Sequence, residues 1–343
     1  MNVLGIETSC DDTSVAVVRN GKEILSNIIS SQDDFHRRFS GVVPEIASRK
    51  HLETIHPLIQ KALEDAGLGW SDIDRIAVTH SPGLVGSLLV GLSTAKAYAY
   101  CCNVPLVPVN HMAAHLYAPG FENELRYPLL GLVVSGGHTL IVRAQSPVEY
   151  EILGTTIDDA VGEVYDKIAK YYELGYPGGP VIDRMAAEGN DRAFAFPRTM
   201  LDNAANRFNF SFSGIKTAVI HQTEQFRKEP SPAGREMADM LASFQTAVID
   251  VLHDKVADAV QESGLRQVAV SGGVAANSRL RERFSATDSF DAVFPSRGLC
   301  MDNGAMVAGV GYHYPQEYTG HAMLKLDVVS RIVQRGKRRR QPC

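Results

Sequence analysis

No run of apolar residues in this 343-residue chain is long enough to span a bilayer, which takes about 20 in succession. The first residues, Met1-Asn2-Val3-Leu4-Gly5, enter a strand-like run directly, with no basic stretch ahead of it, so no secretory signal is expected. Cysteine is scarce. The five residues (Cys10, Cys101, Cys102, Cys300 and Cys343) include no C-x-x-C pair, which argues against a disulfide framework and for a reducing, cytoplasmic compartment. Neither a Walker A loop nor a dinucleotide fingerprint is present, which removes the commonest nucleotide-binding signatures. A strong positive charge is missing too. The net charge is −5, and overall charge does not mark a nucleic-acid binder. The balance is uneven, because six basic residues and no acidic one follow from Arg331 (Arg331, Arg335, Lys337, Arg338, Arg339, Arg340). Residues 331–343 therefore read as a basic, disordered tail that could meet phosphate.

What remains is the composition of an ordinary globular protein, 45% hydrophobic and 21% charged, long enough for two domains. Val3-Leu4-Gly5-Ile6 and Val15-Ala16-Val17-Val18 predict two paired strands around the polar turn Glu7 to Asp12. A similar phrase recurs as Leu129 to Val134, Ser135-Gly136-Gly137-His138 and Leu140-Ile141-Val142. A third apolar run, Val268-Ala269-Val270, precedes Ser271-Gly272-Gly273. Helical spacing fills the intervals, from Gly86 to Tyr100 and from Ser243 to Ser263. The pattern implies an α/β protein of two related halves, with residues 119–128 as the linker between them.

The chemistry-bearing residues are split along the chain. His111 and His115, at i and i+4 on a helix, share one face and can grip one metal ion. Asp302, far downstream, could complete a two-His-one-carboxylate site; it could equally be the N-cap of a helix beginning near Asn303. The residues between the histidines are Met112, Ala113 and Ala114, so the glutamate base of a zinc peptidase is absent. The glycine-containing turns after strands, Ser135-Gly136-Gly137-His138 and Ser271-Gly272-Gly273, offer backbone N–H groups to phosphate oxygens.

Beyond these single features, ordered blocks run from Gly5-Ile6-Glu7-Thr8-Ser9-Cys10-Asp11 almost to the end of the chain. They include Gly41-Val42-Val43-Pro44-Glu45, Pro82-Gly83-Leu84-Val85-Gly86, Val134-Ser135-Gly136-Gly137-His138-Thr139, Tyr176-Pro177-Gly178-Gly179-Pro180, Phe210-Ser211-Phe212-Ser213-Gly214 and Gly272-Gly273-Val274-Ala275-Ala276-Asn277. In these the chain resembles the universal tRNA threonylcarbamoyladenosine synthase family, known as TsaD in bacteria and formerly labelled an O-sialoglycoprotein endopeptidase. The resemblance implies the two-domain actin/hexokinase/Hsp70-like ATPase (ASKHA) fold. One domain would take 1–118 with about 296–330, and the other 129–295. It implies transfer of a threonylcarbamoyl group from threonylcarbamoyl-AMP to the N6 amine of adenosine 37, in tRNAs reading codons that begin with A, releasing AMP.

By the same resemblance, His111, His115 and Asp302 would hold one divalent metal, iron(II) first and zinc second. Val134, Ser135, Gly136, Gly137 and His138 would cradle the adenylate phosphate, with Asp166, Gly179, Asp183 and Asn277 around the ribose and base. Asp11 is a candidate for orienting or deprotonating the amine. A same-fold paralogue of the TsaB type and a small P-loop ATPase of the TsaE type are the implied partners. Two departures stand out: Asp12 replaces a commoner Glu, and Met112-Ala113-Ala114 lacks the carboxylate many relatives carry there. The competing functions are a nucleotide-dependent ATPase or chaperone of the same fold, a metalloprotease and a non-catalytic scaffold. Imidazole ligands argue against the first, the missing glutamate against the second, and the retained ligands against the third.

Overall fold

In the computed structural model the described residues are 1–39, 41–201, 206–224 and 234–331, so the basic stretch beyond Arg331 lies outside them. The first half opens with an antiparallel meander, β1 (Asn2–Glu7), β2 (Thr13–Arg19) and β3 (Glu23–Ser30). After α1 (Asp33–His36) and α2 (Pro44–Ala66), the strand β4 (Arg75–Ser81) lies parallel to β1. Next come α3 (Val85–Cys102), the parallel strand β5 (Leu106–Asn110) and the short α4 (His111–Tyr117). The sheet order is β3-β2-β1-β4-β5.

The second half repeats the plan. A meander of β6 (Leu129–Val134), β7 (Thr139–Ser146) and β8 (Glu149–Thr155) is followed by α5 (Val161–Tyr171), α6 (Gly178–Ala186), α7 (Ser213–Glu224) and α8 (Gly234–Ser263). The strand β9 (Gln267–Ser271) then pairs parallel to β6. It leads through α9 (Ser278–Ser285) to the parallel β10 (Asp291–Val293). Read from its outer strand, the second sheet is β8-β7-β6-β9-β10, the same order and strand directions as the first. The two related halves expected from the repeated phrases are thus a repeated topology, the ASKHA arrangement. After α10 (Arg297–Cys300), the helix α11 (Gly304–Gly311) and α12 (Gly320–Leu324) return to the first sheet.

Period-two alternation explains how the first sheet is packed on both faces. Leu4 and Ile6 point toward Ile55 and Ile59 of α2, whereas Val3, Ala16 and Val18 face Ala305, Met306 and Ala308 of α11. The helix that closes each half packs on the sheet of the other. Met112 and Leu116 of α4 lie against Val133, Leu140 and Val142, while α11 lies on β1 and β2. Ala113, Ala114 and Tyr117 of α4 meet α11 at the seam. The linker expected at 119–128 begins as part of this core: Ala118–Phe121 forms a buried 3-10 turn, because Phe121 fits among the residues beneath α11.

Two glycines set how close α11 comes. A β-carbon on Gly5 would sit 2.2 Å from the Gly304 carbonyl oxygen and 2.6 Å from the Ala308 nitrogen, and one on Gly304 would sit 2.6 Å from the Ala16 nitrogen. The first N–H groups of the helix find partners in this contact: Gly304 donates to Ser14 Oγ at 2.8 Å, Ala305 to Asn27 Oδ1 at 3.3 Å, and Met306 to the cap Asn303 Oδ1 at 2.9 Å. At the other end the buried Arg75 guanidinium donates to the carbonyls of Gly311, Tyr312 and Tyr314, at 2.7, 3.1 and 3.2 Å, and pairs with Glu317. The methyl group of Gly5→Ala would meet backbone that cannot swing away. This variant should lose about 1–3 kcal/mol or more of stability, read as a lowered melting temperature. A melting curve matching the parent would show that α11 can lift without cost.

Candidate active site at the seam of the two sheets

The turns picked out by sequence all follow the carboxyl ends of strands: Glu7 to Asp11 after β1, Ser135 to His138 after β6, and Ser271 to Gly273 after β9. Open α/β sheets bind ligands at such ends. The α4 helix starts there as well. Its cap Asn110 accepts from Met112 N–H at 2.9 Å and Ala113 N–H at 3.2 Å. Tyr150 of β8 donates to the same Oδ1 at 3.0 Å, and Asn110 N–H donates to the Tyr314 hydroxyl at 3.0 Å. Both halves therefore hold the first turn of α4.

His111, His115 and Asp302 come together across the seam, with one donor atom from each lying within 4.8 Å of the others. Asp302 Oδ1 is 3.1 Å from His115 Nε2 and 3.6 Å from His111 Nε2. The N-cap of α11 is Asn303 and not Asp302, which corrects the blander alternative for this aspartate and leaves its carboxylate free to face the imidazoles. Neither ring nitrogen of the fully buried His115 makes an aligned hydrogen bond, despite the close carboxylate. Buried polar atoms rarely stay unpaired. Two imidazoles and a carboxylate at this spacing could hold a divalent metal.

Glu7, unremarked as a ligand-directing group in the sequence, lies behind them. It is fully buried, and its carboxylate accepts from Thr79 Oγ1 at 2.5 Å, from Ser9 N–H at 2.5 Å, and from His111 Nδ1 at 3.1 Å. A carboxylate on Nδ1 turns Nε2 outward toward a metal and raises its basicity. The one signal in the sequence was a lone charge at the end of an otherwise apolar strand.

The carboxylates and imidazoles shift one another's titration. Burial alone would raise the Asp302 carboxyl, but the His111 and His115 charges overcome it and hold the group below the usual carboxylate range. Burial would lower His111, yet the Asp302 and Glu7 carboxylates carry it up to about 9, so a metal would displace a proton there. His138, pushed down to about 4 by burial and the two neighbouring histidines, is neutral at pH 7. Asp12 is raised to about 8 by burial and by the charges of Asp302 and Asp11.

The remaining sequence candidates lie on the second half. Val134 ends β6, and the turn after it closes through Ser135 N–H to the His138 carbonyl at 2.8 Å and His138 N–H to Ser135 Oγ at 3.1 Å. Gly136 and Gly137 are exposed, with open space around them. Gly272, at φ +90°, lies so close to the turn that a β-carbon would be 2.4 Å from the Val134 oxygen. Asp166 accepts from Gly178 N–H at 2.7 Å and is raised to about 6, chiefly by burial. Gly179 stands open in the first turn of α6. The side chains of Asp183 and Asn277 are already engaged. Asp183 accepts from Ser278 N–H at 3.0 Å and Ser278 Oγ at 2.8 Å. Asn277 caps α9 through Leu280 N–H at 2.9 Å and donates to Gln245 at 2.8 Å. As they stand, these two shape a wall. Asp11 sits in the turn after β1, and its charge acts on Asp12, Tyr176 and Asp166.

Two halves that repeat one strand order, each with polar turns at the carboxyl ends of its strands, define a two-lobed α/β class of fold. Solved structures agree at the level of fold. The full-length HypF in its phosphate- and nucleotide-bound form superposes with a TM-score of 0.58 at 14% identity, covering 91% of this chain and 54% of that one. The component A of (R)-2-hydroxyglutaryl-CoA dehydratase from Acidaminococcus fermentans does so at 0.53 and 14%, covering 91% and 98%. The family described as tRNA N6-adenosine threonylcarbamoyltransferase matches residues 23–309. Relatives so named are 49% identical in Brachyspira hyodysenteriae, over 97% of each chain, and 50% identical in Treponema denticola, over 92% of each. One from Bacillus subtilis is 50% identical over 91% of this chain and 90% of its own. The chain belongs to this family and is a transferase that places threonylcarbamoyl on the N6 amine of a tRNA adenosine. The ATPase and peptidase alternatives are not supported.

Two outcomes follow from the geometry. Glu7→Gln keeps the volume but not the charge behind His111, and should weaken divalent-metal binding about 10- to 100-fold by calorimetry on the metal-free protein; unchanged affinity would reduce Glu7 to a space-filler. The Asp12 carboxyl titrates higher folded than unfolded, so the stability it contributes is present at low pH and is lost as pH rises toward 8. Metal-free Asp12→Asn should therefore melt above the parent at about pH 9 and converge with it near pH 4.

Proposed function

We propose that threonylcarbamoyl-AMP lies across the seam. In this reading its phosphate meets the Ser135 to His138 turn, its adenosine lies along Asp166, Gly179 and the wall shaped by Asp183 and Asn277, and its carbamoyl carbon is directed toward His111, His115 and Asp302. The observation that carries it is the convergence of the buried His115 with His111 and Asp302 at the carboxyl ends of strands from both sheets. The ion is iron(II) or zinc, and when bound it supplies Lewis-acid polarisation of carbamoyl or phosphate oxygens. The acceptor is the adenosine at position 37.

An exocyclic adenine amine is a weak nucleophile, because its lone pair is delocalised into the ring. Positioning and leaving-group stabilisation therefore matter more than base strength. The amine nitrogen forms a bond to the carbamoyl carbon, the bond from that carbon to the phosphate oxygen breaks, and AMP departs. Asp11 orients the amine and takes its proton. The N–H groups of the Gly136-Gly137 turn receive the charge left on the phosphate. Neutral His138 can donate a hydrogen bond beside it without adding a full charge.

A same-fold companion subunit and a small P-loop ATPase belong to this reading, as does a cytoplasmic setting. The exposed Leu52 on α2, with Val85 and Leu89 on α3, offers apolar surface for such a subunit. No described helix is long and apolar enough to cross a membrane. The test is conditional depletion with mass spectrometry of tRNA nucleosides. Threonylcarbamoyladenosine should fall, return with the parent gene, and fail to return with His111→Ala or Asp302→Ala. Full restoration by either variant would refute the metal's part, and an undiminished nucleoside after depletion would refute the activity.

A further inference from the structure

Ser30, at the end of β3, pairs with Thr13, just after Asp11 and Asp12. Three residues further on, α1 begins, followed by a 3-10 turn over Arg37–Phe39. The segment starts beside the Asp11 turn and reaches the second half, where Arg37 Nε donates to the Tyr176 carbonyl at 3.3 Å, two residues before Gly178 and its bond to Asp166. It is anchored from below. Gln32 donates to the Ala47 carbonyl at 3.3 Å, and buried His36 accepts from Val43 N–H at 3.3 Å.

On this anchored base, two aromatic rings face outward: Phe35 is 46% exposed and Phe39 is 54% exposed. Large exposed apolar rings on a short segment gain the fold nothing. Lys50 Nζ, which also pairs with Glu53 at 2.6 Å, lies 4.4 Å from the Phe35 centroid, on one face. Arg49, the chain neighbour of Lys50 on α2, is exposed. Chemistry on a base needs that base taken out of its stack, and RNA loops are recognised by stacking their unstacked bases on aromatic side chains. A ring backed by a cation is a good stacking partner. Asp33 and Asp34 on the same segment are balanced by Arg37 and Arg38, and Arg37 pairs with Asp34 at 3.3 Å, so the segment has no net charge to draw the RNA backbone and offers its rings to bases.

We infer that Phe35 and Phe39 form a stacking platform for the anticodon-loop bases that flank the acceptor adenosine, holding the loop open over the site. The inference rests on tRNA being the acceptor. The test measures an anticodon stem-loop RNA binding to the full chain, by anisotropy, with paired substitutions at both positions. Phe35→Ala with Phe39→Ala should weaken binding about 10- to 100-fold. The Trp pair should restore it and the Leu pair should not, since leucine fills the space without a π face. Equal binding by the Ala pair, or rescue by the Leu pair, would overturn the platform. So would an Ala pair that loses a companion protein while its RNA affinity stays constant. A parent chain that fails to bind the RNA would strike instead at tRNA as the acceptor, so the two failures are separable.

Discussion

The contact on which the site depends is backbone against backbone: the first turn of α11 seated on β1 and β2 through Gly5 and Gly304. The N–H groups of that turn donate to Ser14, Asn27 and Asn303, so its height and rotation are fixed without help from bulky side chains. Asp302, two residues ahead of the helix, inherits this precision. Its partners on α4 are fixed in the same manner from the opposite side, by an Asn110 cap held from both halves. Two short helices rich in small residues thus bring three donors together more rigidly than loops would.

Much of this was legible in the sequence. The repeated strand-turn-strand phrases declared two similar halves, because strands buried on both faces leave apolar runs that survive reading without a structure. The histidine pair declared itself by i, i+4 spacing. Other features did not, for physical reasons. Asp302 and Asn303 are both good caps, and only the placement of the helix start shows which one caps. The first residues of the expected linker, Pro119 to Phe121, carry turn composition but are buried, since their fate depends on a helix contributed from the far end of the chain. Glu7 gave one faint sign, a charge where a strand should be apolar.

Asp183 and Asn277 show a different limit. Residue type suits both to hold ribose or base, and type cannot reveal that Ser278, Leu280 and Gln245 also bond to them, which fixes where the remaining acceptor and donor sites point. The backbone turn at Gly136-Gly137 has open space around it as well. The Asp12 carboxyl is lifted first by burial and then by the charges of Asp302 and Asp11.

The exchange of closing helices between the two halves has a consequence for how the protein is made. His111 and His115 leave the ribosome early, but Asp302 follows only after nearly all of the second sheet, and α11 cannot seat until that sheet has been made. An incomplete chain therefore presents two imidazoles without their carboxylate. The order of synthesis thus withholds the third donor until the strands of both sheets have been made.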